Sequence, residues 1–93
     1  MSREFQIAES DLFAASIAEP RFRKIQKKIV EYIYPQLRQN PLFGPNIKRL
    51  KGELSGFFRY RTGDYRIFYT VDSEDKIVII HEIEDRKDAY KKR

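Results

Sequence analysis

Cysteine is absent from the 93 residues. That excludes disulfides, thiolate nucleophiles and cysteine-based zinc sites, so apolar packing alone must hold the fold. Histidine occurs once, at His81, and one imidazole makes no metal site by itself. The acidic group Asp72, Glu74 and Asp75 lacks the spacing of a calcium loop, so neither metal nor cofactor is expected. No apolar run approaches the roughly 20 residues that span a bilayer, and the N-terminal MSREFQIAES lacks the apolar segment of a secretion signal. The expected compartment is the cytoplasm, with no membrane partner.

What the chain does have is positive charge: 19 Lys plus Arg against 14 Asp plus Glu, a formal +5. This balance favours polyanions, nucleic acid first, over acidic small molecules. A chain of this length makes one small domain, residues 1–93, with no room for a large buried cavity, so any site is expected on a shallow surface.

Glu4 to Ile7 alternates and reads as a first strand. Ser10 offers an N-cap oxygen to a helix carrying Phe13 and Ile17, which ends before Pro20. From Pro20 a second helix keeps Phe22, Ile25, Ile29, Ile33 and Leu37 on one stripe. Pro35 predicts a kink, or an end near Tyr34 with a short continuation. Asn40 to Asn46, with two prolines and a glycine, reads as a loop. A basic stretch from Ile47 to Gly56 precedes three strands, about 57–61, 64–71 and 77–83, and Asp85 to Arg93 forms a charged tail suited to a short terminal helix. The order predicts an α+β domain: an N-terminal strand and a two-helix hairpin packed on one face of an antiparallel sheet of about four strands.

The densest chemistry lies in FFRYRTGDYRIFY, Phe57 to Tyr69. A hairpin turning at Thr62-Gly63 pairs Arg59 with Arg66 and Arg61 with Asp64, with Phe57, Arg59 and Arg61 on the open face. Like charges across strands are destabilising by about 0.2–1 kcal/mol, which suggests an anion between them, phosphate above all. Asp64, Glu82 or Glu84 could equally neutralise them in ordinary surface ion pairs. His81 shares parity with Ile77, Ile79 and Ile83 and reads as a core-flanking or hydrogen-bonded residue.

Three motifs, Leu50-Lys51-Gly52, Arg59-Tyr60-Arg61-x-Gly63-Asp64-Tyr65-Arg66 and Arg86-x-x-x-Tyr90, occur in order over about 40 residues. Together they resemble the RelE/ParE family of type II toxin–antitoxin toxins, in particular its RelE branch. The resemblance covers the whole chain and implies a small RelE-like fold. It also implies a ribosome-dependent endoribonuclease that cleaves mRNA in the ribosomal A site, stops translation, and is blocked by a cognate antitoxin protein. Carried over by motif, the catalytic set is Lys51, Arg59, Arg66, Arg86 and Tyr90. Lys48, Arg49, Arg61 and Phe57 form the RNA-binding set.

Two departures from the family pattern bear on the chemistry. Glu84-Asp85 stands where many relatives have Gly-His, and Phe57 stands where one form of the site has a lysine. Cleavage needs a base for the 2′-hydroxyl, cations for the pentavalent phosphate and an acid for the 5′-oxygen. Arginine serves the second role without metal, and Lys51, Tyr90, Asp85 and His81 are the residues left for the other two, Tyr90 first by resemblance. Two other functions remain open: a ParE-like toxin that binds DNA gyrase, and a catalytically inactive remnant of the fold.

Overall fold

The computed structural model describes residues 4–86. Short stretches of period-two alternation form a five-stranded sheet: β1 (Gln6–Glu9), β2 (Ile47–Arg49), β3 (Phe57–Thr62), β4 (Tyr65–Asp72) and β5 (Ile77–Asp85). The spatial order is β1-β5-β4-β3-β2. β1 runs parallel to β5, and the other pairs are antiparallel. The expected α+β class is the one observed, with one strand more than about four. β2 escaped the sequence because three residues, two of them cationic, are too few to show alternation. β1 begins two residues late because the Phe5 N–H donates to the Arg38 carbonyl at 2.8 Å, and the sheet is entered only when Gln6 N–H reaches the Lys76 carbonyl at 2.9 Å.

Helix α1 (Asp11–Ile17) starts as its cap requires: Ser10 Oγ accepts from the Phe13 N–H at 3.0 Å. The same hydroxyl donates to the His81 carbonyl at 3.0 Å, tying the helix start to β5. Helix α2 runs over residues 20–39, opening with the tight turn Pro20–Phe22. It continues past Pro35, against the expected kink or stop, because the turn Ile29–Ile33 widens to π geometry. There the Tyr34 N–H reaches back five residues to the Ile29 carbonyl. The wider turn relieves the crowding that the proline ring would otherwise impose on the preceding turn.

The stripe Phe22, Ile25, Ile29, Ile33 and Leu37 is buried against Phe58, Tyr60, Ile67, Tyr69, Val78, Ile80 and Ile83 of the sheet. Each such side chain contributes about 1.5–3 kcal/mol when fully buried. Three buried tyrosines add polar anchors. Tyr34 donates to Glu9 at 2.6 Å, Tyr60 to Gln36 at 2.8 Å and Tyr69 to the Pro41 carbonyl at 2.7 Å. These bonds fasten α2 to β1, β3 to α2, and β4 to the loop after α2. Burial pushes all three phenols above their ordinary pKa, with the Glu9 carboxylate adding to the effect at Tyr34. Among the described residues no helix is long and apolar enough to cross a membrane. The expected C-terminal helix and Tyr90 lie outside the described residues.

Candidate nucleic-acid interface

Helices cover one face of the sheet, and the other face carries the cations. The β3–β4 loop is Gly63-Asp64, one residue later than the expected Thr62-Gly63. Its first position has φ +57°, which glycine adopts freely and a β-branched threonine does not, so the loop settles on the glycine. The register becomes Thr62↔Tyr65, Arg61↔Arg66 and Arg59↔Phe68. Arg61, not Arg59, therefore faces Arg66. Sliding the loop by one residue moves each partner by two, so the assignment of residues to faces survives.

Two rungs cross the open face, about 7 Å apart as same-face neighbours along a strand are. One runs Lys48, Arg59, Phe68, Glu82 and the other Arg61, Arg66, Glu84. Each is basic toward β2 and β3 and acidic on β5. Arg66 Nη1 lies 3.8 Å from Glu84 Oε1, and both side chains are more than a third exposed, so the pair is weak. Arg59 Nε is buried without a hydrogen-bond partner among the described residues. An orphaned buried donor costs about 1–3 kcal/mol, which an incoming anion would relieve.

The acidic ends of these rungs depend on a bulge. Phe68 pairs with Glu82 but Tyr69 pairs with Ile80, leaving His81 as the extra residue in β5. Beyond it the parity inverts: Ile83 turns into the core, against the expectation that it shares a side with His81, while Glu82 and Glu84 are exposed. His81 itself is hydrogen-bonded, with Nε2 2.8 Å from Thr70 Oγ1, and its ring is 5.1 Å from that of Phe57. Phe57, Phe68 and Leu54 with Glu82 and Glu84 line a shallow groove of about 180 Å³.

The remaining candidates spread around this surface. Lys51 precedes the single turn Gly52–Leu54, just past the Leu50 N–H that donates to the Phe57 carbonyl, and so sits at the Phe57 end. Arg86 sits at the opposite end, its N–H donating to the Asp64 carbonyl at 2.7 Å. The structure thus does not bring Lys51 and Arg86 together. Arg49 pairs with Phe58 in register and lies with its guanidinium 5.1 Å over that ring, on the helix-covered side and away from Arg59. Asp85 pairs with Tyr65, whose ring packs on Phe22 at 5.9 Å, so it too leaves the face of Arg66. Glu82 and Glu84 share Arg66's face, and Glu84, expected only as an ion-pair partner of the arginines, is the carboxylate beside Arg66 and so a candidate base. Among the described residues no cluster of ligating side chains suits a metal ion.

The site thus sits on a small α+β fold with helices on one face of the sheet and arginines on the other. Residues 8–90 match the family model described as the ParE toxin of the type II toxin–antitoxin system, parDE. The chain is 35% identical over 69 residues to Toxin RelG of Mycobacterium tuberculosis, covering 74% of this chain and 77% of that one. It is 42% identical over 67 residues to the putative toxin RelE1 of Methanocaldococcus jannaschii, covering 70% and 72% respectively. The toxin–antitoxin complex RelBE2 of M. tuberculosis matches with a TM-score of 0.73 and 28% identity, over 89% of this chain and 99% of that one. The chain belongs to the RelE/ParE family of type II toxin–antitoxin toxins.

Proposed function

We propose that this toxin is a metal-independent endoribonuclease that cleaves mRNA in the ribosomal A site. The observation that carries the reading is the arginine cluster of the open face, with Arg61 across from Arg66 and Arg59 Nε unpartnered. Arg66 and Arg61 hold non-bridging oxygens of the scissile phosphate and stabilise the charge that grows on them in the pentavalent state. Glu84, already beside Arg66, takes the proton of the 2′-hydroxyl. The 2′-oxygen then attacks phosphorus, and the bond to the 5′-oxygen breaks. The leaving oxygen needs a proton, a role that the family resemblance gives to Tyr90. Arg59 and Lys48 steady the flanking backbone, Phe57 stacks on a base, and Lys51 and Arg86 contact the strand at the two ends of the face.

A cognate antitoxin is the natural partner, as in the relatives crystallised as toxin–antitoxin complexes. The open face suits a segment that brings carboxylates to the arginines and an apolar side chain to the groove beside Phe57 and Phe68.

A second reading, gyrase binding in the manner of ParE, draws on the matched family model and on Glu84-Asp85 in place of Gly-His. The deciding experiment maps mRNA by primer extension in a purified translation system. Ribosome-dependent, codon-phased cuts that disappear with Arg66→Ala support the nuclease. Intact mRNA at every dose, together with inhibited gyrase supercoiling, moves the assignment to the second reading. Intact mRNA with unaffected gyrase leaves an inactive remnant of the fold.

A further inference from the structure

A second concavity, of about 200 Å³, lies between the last turn of α2, the loop over residues 40–46 and the start of β2. No charged side chain lines it, whereas four carboxamides do: Gln36, Gln39, Asn40 and Asn46. Two of these are held in place by one phenol. Tyr60 Oη donates to Gln36 Oε1 at 2.8 Å and accepts from Asn46 Nδ2 at 3.4 Å. That arrangement leaves the Gln36 amide nitrogen to donate and the Asn46 amide oxygen to accept. A fixed donor and a fixed acceptor side by side are complementary to the polar edge of a nucleobase.

Phe43 stands on the rim with 71% of its surface exposed, the most of any large apolar residue described. Asn40 Oδ1 holds the Leu42 and Phe43 N–H groups at 3.0 and 3.3 Å, so the backbone beneath the ring is braced. One exposed phenylalanine is ordinary. Here it offers a flat face beside a pocket with an amide edge, the two elements by which single-stranded bases are held.

The loop that lines the pocket is bonded to the strand that carries the arginines. The Asn46 carbonyl accepts the Arg61 N–H at 2.9 Å, and Arg61 faces Arg66 across the hairpin. The Arg61 side chain stands on the open face and Gln36 with Tyr60 on the helix-covered one, so a strand that reaches both passes over the β2 edge of the sheet. We infer that this pocket takes one unpaired nucleobase of the RNA whose phosphate Arg61 and Arg66 hold, stacked on Phe43 and read by Gln36 and Asn46. The inference rests on the RNA reading of the open face and adds to it a site for base selection.

The test measures binding of a fluorescein-labelled, unstructured RNA hexamer to the intact toxin, with a single abasic nucleotide moved along the strand. The intact hexamer is expected to bind about tenfold tighter than the one abasic variant that empties the pocket. Phe43→Ala should weaken the intact hexamer by a similar factor and erase the abasic effect, while Phe43→Trp retains it. Arg66→Ala should weaken every hexamer alike. If Arg66→Ala abolishes binding while neither the abasic series nor Phe43→Ala changes it twofold, RNA binding stands and the pocket inference is overturned. If the hexamers do not bind at all, the RNA reading of the surface fails and takes the inference with it. Loss of antitoxin binding by Phe43→Ala, with hexamer affinity intact, would assign the rim to a protein and overturn it too. On programmed ribosomes, a changed base preference in the Phe43→Ala cuts means that the mRNA supplies the base. Uniformly slower cutting with unchanged preference means that ribosomal RNA supplies it.

Discussion

The helix-covered face of the sheet and the open face treat polar atoms in opposite ways. On the covered face the hydroxyls of Tyr34, Tyr60 and Tyr69 each have a partner at 2.6–2.8 Å. On the open face Arg59 Nε has none among the described residues, Arg61 faces Arg66, and the Arg66–Glu84 ion pair is weak. A face that serves stability satisfies its donors, because an unpaired buried polar group is costly. A face that keeps cations close together and poorly paired is less stable than it could be, which is the arrangement expected where a ligand completes the pairing. The same strands build both faces, since alternate residues of β3 are core tyrosine and site arginine.

Substitutions on the two faces should therefore separate activity from stability. Arg66→Ala is expected to slow mRNA cleavage on the order of 10³-fold with little change in the urea midpoint, measured on one preparation. Glu84→Gln keeps the shape but removes the base; cleavage should fall about 10²-fold while RNA binding is unchanged or tighter. Tighter binding with undiminished cleavage would make Glu84 a mere ion-pair partner. Tyr69→Phe acts on the other face. It leaves the Pro41 carbonyl without its donor and should lower stability by about 2 kcal/mol, read from urea unfolding, without altering the pH profile of cleavage. Arg59→Met inverts the usual sign: removing an orphaned donor should raise stability by about 1 kcal/mol and weaken RNA binding.

The smallest effect concerns alkaline pH. The folded phenols of Tyr34 and Tyr69 are pushed up, chiefly by burial, from an ordinary value near 10. Above about pH 10 the unfolded chain releases protons that the folded one retains, so stability falls as pH rises there. Tyr34→Phe and Tyr69→Phe should each flatten that decline in melting temperatures compared at pH 9 and 11.

Much of this division was legible in the chain. Alternation of Arg59 and Arg61 with Phe58 and Tyr60 identified the open face, and that reading survived a misplaced turn because faces depend only on parity. The register did not survive, since the need for positive φ at Gly63 outweighs the symmetric choice at Thr62-Gly63. The bulge at His81 was missed because Ile77, Ile79 and Ile83 share odd numbers with His81, and the side of Glu84 and Ile83 depends on that one extra residue. Pro35 signalled a disturbed helix correctly but not its form, because a π turn one step upstream absorbs the strain. The three-residue β2, which brings Lys48 opposite Arg59, has too little pattern to be seen.

The most direct measurement is single-turnover cleavage of mRNA on programmed ribosomes by the wild type, Arg66→Ala and Tyr69→Phe, with each protein's unfolding midpoint recorded alongside. The expected result is a cleavage defect in Arg66→Ala at native stability, and a stability defect in Tyr69→Phe at native cleavage rate once the folded fraction is matched. Arg66→Ala that cuts at the wild-type rate, or that fails only because it unfolds, would contradict the assignment of the open face to RNA chemistry.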